Sequence, residues 1–210
     1  MKVLLQKGIR LSTKLKIYKA VVIPSLLYGC ETWTLYRRHI KQLEQFHMRS
    51  LRNIMGIKWQ DKITNQEVLD RANLTSIESL LLKAQLRWAG HVIRMEDHRI
   101  PRQLMYGELQ KGSRKRGRPK LRFKDTLKRN LNWCKIQPRE LEPSAAVRNS
   151  WRTTISKAAI QFENSRRQVQ AEKREKRHMI KPIQDPTYSC DICGRRCASS
   201  FGLRSHKRSH

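Results

Sequence analysis

A mainly α-helical chain that ends in a small ββα unit is predicted by three observations. Apolar residues recur at spacings of three and four over most of the 210 residues. No stretch shows the polar/apolar alternation that a half-buried strand requires. The last 21 residues change character and carry two cysteines and two histidines at fixed intervals.

The helical elements follow in order. Thr13 to Tyr28 places Leu15, Ile17, Val21, Val22, Leu26 and Leu27 on one broad apolar stripe, which Pro24 is predicted to bend or break. From about Arg38 to Met55, Ile40, Leu43, His47, Leu51 and Ile54 keep helical spacing, and Gly56 is a natural stop. Two further helix starts read as capping boxes, Thr64-Asn65-Gln66-Glu67 and Thr75-Ser76-Ile77-Glu78. The first opens a short helix through Val68 and Leu69. The second opens a long one through Leu80, Leu81, Ala84, Trp88 and Val92. Residues 1–106 are therefore expected to form a helical bundle.

Composition shifts at Gly107. Lys111 to Arg129 hold ten basic residues against one acid, and Gly112, Ser113, Gly117 and Pro119 make residues 107–120 a basic loop. Further helices are expected over 121–163: one from near Leu121 with Phe123, Leu127 and Leu131 aligned, then a turn at Pro138 and Pro143. The last runs from Ala145 to Phe162 through Val147, Trp151, Ile155 and Ala158. Residues 164–187 read as a basic linker, an unpacked tether or a transient helix, because 164–181 hold seven Lys or Arg and little that is apolar.

Charge narrows the function. Lys and Arg number 46 against 17 Asp and Glu, which gives a formal charge of +29. Such a surplus creates a field that attracts polyanions, so nucleic acid is the expected partner. The longest apolar run, Ala20 to Cys30, is too short for a membrane span and contains Pro24. Five cysteines, three of them in the last 21 residues, do not suit a secreted disulfide framework. A reducing compartment is expected; basic runs at 111–120 and 173–177 permit nuclear import, so the nucleus is the expected location and the cytoplasm the alternative.

The clearest chemical signal is Cys190-x2-Cys193, twelve residues, then His206-x3-His210, the spacing of a Cys2His2 zinc finger over 188–210. Two cysteines across a tight turn direct both thiolates at one point, and histidines one helical turn apart present both imidazoles to it. Zn2+ is the expected ion, and it supplies folding energy that so short a unit cannot bury for itself. Leu203 is the expected apolar core residue. Where such fingers carry a large aromatic, four residues after the second cysteine, this chain has Cys197. Cys197 reads as a small core residue or, alternatively, as a fifth ligand that exchanges with a histidine.

Counting back from His206, the base-reading positions fall on Ser199, Gly202 and Ser205, none of which makes the discriminating pairs. Arg195, Arg196, Arg204, Lys207 and Arg208 suit phosphate contacts instead, so nucleic-acid binding of low sequence specificity is expected, with a protein contact as the alternative. In the basic loop, Arg114, Lys115, Arg116, Arg118 and Lys120 are the candidate contacts. Arg116-Gly117-Arg118-Pro119 has the core of a minor-groove arm, with general phosphate contact as the plainer reading.

Several blocks together resemble the C-terminal part of reverse transcriptases from non-LTR (LINE-type, RTE-like) retroelements. They are Leu15-Lys16-Ile17-Tyr18-Lys19, Leu27-Tyr28-Gly29-Cys30-Glu31-Thr32-Trp33 and Phe46-His47-Met48-Arg49-Ser50-Leu51-Arg52. Further along come Gly56-Ile57-Lys58-Trp59-Gln60-Asp61, Leu86-Arg87-Trp88-Ala89-Gly90-His91-Val92-Ile93-Arg94-Met95 and Arg116-Gly117-Arg118-Pro119-Lys120, followed by the terminal Cys/His unit. The resemblance implies a thumb-like helical region that follows a polymerase palm, then a basic nucleic-acid-binding tail. It also implies that polymerisation belongs to paired aspartates of the palm and nicking to a separate endonuclease. This sequence has no Asp-Asp pair, so no catalytic residue carries over.

Other catalytic candidates read as structural. His47 and His91 sit in helical patterns, Cys30 and Cys134 read as core thiols, Asp97-His98 as a loop pair, and Trp33, Trp59, Trp88, Trp133 and Trp151 as core. The expectation is a zinc-binding, non-catalytic nucleic-acid-binding part of a retroelement reverse transcriptase. The alternatives are part of an active RNA-directed DNA polymerase whose palm lies upstream or in trans, and a zinc-finger protein-interaction module.

Overall fold

The computed structural model describes residues 8–107, 121–179 and 188–210. It is mainly helical and divides into two compact units at Arg167–Gln168.

In the first unit, α1 (Leu11–Ile17) runs through a π-helical stretch, Tyr18–Val22, into α2 (Ile23–Leu26). The wide turn lies just before Pro24, whose ring excludes a normal helical hydrogen bond, so the chain re-spaces instead of breaking. The re-spacing rotates the expected stripe. Tyr18 is fully buried, whereas Val21, expected on the apolar face, is exposed.

α3 (Arg37–Met55) ends as its sequence predicts. Gly56 takes the left-handed conformation (φ +68°), and the N–H groups of Gly56 and Ile57 donate to the carbonyls of Asn53 and Arg52, the Schellman pattern. Its buried face carries Ile40, His47, Leu51 and Ile54. α4 (Asn65–Ala72) is capped by Thr64, whose hydroxyl accepts from the Glu67 N–H at 3.2 Å. Glu67 turns to Arg71 instead of completing the box.

α5 (Ile77–Ile93) starts one residue later than its capping pattern predicts. Ser76, not Thr75, is the cap, and its hydroxyl accepts from the Ser79 N–H. Glu78 does not reach back; it is buried and pairs with Arg37 on α3. A guanidinium partner satisfies that buried carboxylate with a charge-assisted hydrogen bond, and the Glu78 backbone N–H itself donates to Glu44 Oε1 at 3.2 Å.

α5 is the axis of this unit and is buried on most of its circumference. Tyr18, Met48, Leu51, Val68 and Leu69 form one core cluster among α1 to α4, and Cys30, Ile40, Ile77 and Leu81 join α5 to α3. On its other side Leu82, Leu86, Ala89 and Ile93 pack with Leu127, Leu131, Trp151 and Ile155. Those last four residues come from α7 (Phe123–Trp133) and α9 (Arg148–Met179). Between α5 and α7, α6 (Ile100–Tyr106), for which the pattern gave no expectation, follows the 94–99 loop, and between α7 and α9, α8 (Leu141–Ala146) occupies the expected Pro138–Pro143 turn.

Buried polar groups tie these helices together. Gln85 donates to the Trp33 carbonyl at 2.9 Å and accepts from Asn130 Nδ2 at 2.7 Å. Ser76 donates to Glu163 on α9, which also holds Arg166 at 3.1 Å. Burial raises the Glu163 carboxyl, but hydrogen bonds from Arg166 and Ser76 and the Arg167 charge outweigh it, so it titrates below the ordinary range.

α9 departs from expectation at both ends. It begins at Arg148, with Ala145 in α8 and Val147 exposed, and it continues past Phe162 to Met179. The start of the expected linker, read as an unpacked tether or a transient helix, is thus helical to Met179, and its side chains described from Gln168 to Met179 are exposed. Gln, Ala, Glu, Lys and Arg are good helix formers, and a helix already nucleated by packing extends at low cost through such residues. Of the tryptophans expected in the core, Trp151 is buried and Trp33, Trp88 and Trp133 are half-buried, whereas Trp59, contrary to that expectation, is 82% exposed. It sits on a 3-10 turn, Trp59–Asp61, where helical spacing no longer applies.

In the second unit, β1 (Tyr188–Ser189) pairs antiparallel with β2 (Arg196–Cys197), Tyr188 opposite Cys197, and α10 (Ser200–Lys207) follows. The Ser199 hydroxyl caps α10 by accepting from the Gly202 N–H at 3.1 Å. Among the described residues no helix is long and apolar enough to cross a membrane.

Candidate metal centre

The hairpin and α10 bring Cys190, Cys193, His206 and His210 to one place. Between the strands the chain turns tightly: the Gly194 N–H donates to the Cys190 carbonyl at 2.8 Å and the Cys190 N–H to the Arg195 carbonyl at 2.9 Å, with Gly194 at φ +71°. That conformation favours glycine and lets both cysteines face α10. On α10, His206 and His210 are one turn apart, so both rings point the same way.

One donor atom from each of the four residues lies within 4.8 Å of all the others. Cys193 Sγ is 3.1 Å from His206 Nε2, and the two histidine Nε2 atoms are 3.2 Å apart. A tetrahedral zinc site with bonds of about 2.3 Å to sulfur and about 2.0 Å to nitrogen has donor–donor edges of about 3.3–3.8 Å. The donor set fits such an ion in number, chemistry and scale.

Electrostatics favour the ligating forms. Backbone N–H groups of Cys193 and Ile192 lower the Cys190 thiol, so its thiolate is stabilised. His206 is lowered by burial and by the charges of His210 and Arg195, which keeps its ring neutral. Metal binding needs ionised cysteine and neutral histidine.

Cys197 is not in the donor cluster. It lies half-buried on β2, and a Cβ built on Gly202 would sit 3.9 Å from the Cys197 Cβ, so its side chain starts beside α10. Leu203 is half-buried as expected.

Of the basic candidates here, Arg195, Arg196, Arg204 and Arg208 are exposed. Lys207 pairs with Asp191 at 2.5 Å, which ties α10 to the turn between the cysteines. Spacing arguments missed this pair; the lone acid among five basic residues in 188–210 was the available signal. Arg114, Lys115, Arg116, Arg118 and Lys120 lie outside the described residues.

The residues read as structural stay apart from this centre. Cys30 and Cys134 are buried, and burial pushes both thiols up to about 11. His47 is fully buried against Tyr18, with Tyr18 Oη and His47 Nδ1 2.9 Å apart, and burial pushes its pKa down to about 4. His91 is exposed beside Trp88. Asp97 pairs with Arg102 and His98 with Glu96 at the loop after α5.

No protein-family model and no solved structure matches the chain. It is 22% identical over 149 residues, 68% of its length, to a Caenorhabditis elegans protein described as an uncharacterized transposon-derived protein. The matched part is 53% of that relative, so the chain spans about half its length. This distant similarity, alongside a Cys/His cluster able to hold a metal ion, points to a transposon-related origin.

Proposed function

We propose that this chain is a zinc-binding, non-catalytic nucleic-acid-binding region of a non-LTR retroelement reverse transcriptase. The observation that carries the reading is the convergence of the Cys190, Cys193, His206 and His210 donor atoms within 4.8 Å. Zinc held there would lock the hairpin to α10 and take no part in bond-making. The transposon-derived relative supports the mobile-element part of the reading. The charge of +29 and the exposed Arg195, Arg196, Arg204 and Arg208 support phosphate contact. In this reading, residues 1–106 are a thumb-like body and 107–120 a second basic contact.

Two measurements test it together. Purified protein should carry one zinc ion per chain, and Cys193→Ser or His206→Ala should abolish zinc binding while the helical signal of the first unit persists. Affinity for random DNA or RNA should fall on the order of a thousandfold or more between about 50 and 200 mM salt if at least six phosphates are contacted. Retained stoichiometric zinc in either variant, or affinity indifferent to salt, overturns the reading.

A further inference from the structure

Phe201 is 80% exposed on α10, one of the most exposed large apolar side chains described. A lone exposed apolar residue is ordinary; its neighbours make this one informative. At i, i+3 and i+7, Phe201, Arg204 and Arg208 lie along one side of α10 and its C-cap. Both arginines are exposed, and among the described residues neither has an ion-pair partner. The other basic residue of α10, Lys207, pairs with Asp191. Leu203, His206 and His210 occupy the inner side.

Helical spacing puts Phe201 on the side of α10 opposite Leu203, His206 and His210. Cys197 holds the position where fingers of this spacing carry a core aromatic, and Phe201 is in water. On the same outer side Ser205 is small and exposed, so nothing bulky screens the ring from a ligand lying along the helix.

An aromatic face followed by two exposed guanidinium groups matches an unpaired base followed by the phosphates of its own strand. Base–aromatic stacking accepts any base, because each has a π-face, and arginines held on a helix can follow the backbone. Paired bases in a duplex keep their faces stacked on one another and offer none to Phe201. We propose that Phe201, Arg204 and Arg208 form a binding site for single-stranded nucleic acid, with Phe201 stacking on an unpaired base and the arginines holding the adjacent phosphates. The site rests on the nucleic-acid-binding reading above and gives it a substrate form, single strand over duplex.

The test uses the full zinc-loaded chain, with short single-stranded DNA and RNA oligonucleotides and a blunt duplex of the same sequence, at fixed salt. Phe201→Ala should weaken both single strands on the order of ten- to a hundredfold and leave the duplex unchanged. Phe201→Trp should restore binding, and Arg204→Ala with Arg208→Ala should steepen the loss. Irradiation of an oligonucleotide carrying a photoreactive thiobase should place an adduct on the peptide containing Phe201. Unchanged single-strand affinity in Phe201→Ala overturns the site and leaves the exposed ring to a protein contact. An equal loss on duplex and single strand overturns the stacking role. If chelation leaves wild-type binding unaltered, the nucleic-acid reading of the whole unit fails; if binding needs zinc but not Phe201, only this inference fails. Zinc content and circular dichroism of each variant separate a lost contact from a lost fold.

Discussion

Substituting Gly90 by alanine tests the packing of the first unit at its tightest point. Gly90 lies within α5, where alanine would ordinarily stabilise a helix by about 1 kcal/mol. Here the added Cβ would lie 3.0 Å from Cε2 of Trp151 and nearer still to its Nε1 and Cδ1. Trp151 cannot step aside freely: it is 1% exposed, packed with Leu86, Ile155 and Leu131, and its indole N–H donates to the Leu86 carbonyl at 3.0 Å. Overpacking a rigid core costs about 1–3 kcal/mol. Displacing the indole leaves a buried donor unsatisfied, at a cost of about 1–3 kcal/mol more. Both costs oppose the helical gain, and the net loss is about 1–5 kcal/mol. For a chain of this size a loss near 3 kcal/mol lowers Tm by about 6–12 °C. Urea titration followed by circular dichroism reads the effect as a lower midpoint at unchanged slope. In a Trp151→Phe background, which has no Nε1, the cost of Gly90→Ala should shrink. A midpoint that stays or rises in Gly90→Ala would refute the close packing of α5 on α9.

Two further outcomes follow from burial. His47 titrates near 4 in the folded chain against an ordinary value of 6.5, so below pH 6.5 the unfolded state binds the extra proton and stability falls until about pH 4. That span corresponds to a loss of about 3 kcal/mol, read as a pH-dependent urea midpoint of the first unit, which His47→Gln should flatten; a midpoint with the same pH slope in that variant removes His47 as the cause. Thiol labelling should leave Cys30 and Cys134 unreactive until the first unit unfolds, while chelation exposes Cys190 and Cys193. Labelling of Cys30 in the native state would contradict its burial.

The helices of the first unit were legible wherever a core contact falls on a helical repeat. α3 reads from Ile40 to Gly56 because its buried residues keep the spacing and its terminus needs a left-handed residue. α5 reads less exactly at its start: Thr75 and Ser76 are equally good caps by type, and the choice fell to Ser76 because its hydroxyl also donates to Glu163, 87 residues away. Trp59 was misread because type alone says core, whereas its place on a short turn between α3 and α4 decides exposure. The candidate metal centre was legible residue by residue, since its ligand spacing is local and set by a turn and one helical repeat. Phe201 was not, because exposure on α10 depends on which side of the helix meets the hairpin.

By itself the sequence determined the helical class, the charge of +29 and the four residues able to hold a metal ion, because each depends on composition or on contacts within a few residues of the chain. Tertiary structure alone decided that Glu78 serves Arg37 and not a helix end, that Gly90 makes room for Trp151, and that Phe201 faces water beside two exposed arginines. Those facts depend on partners far apart in the chain or on the direction a helix side faces, and no local pattern encodes either.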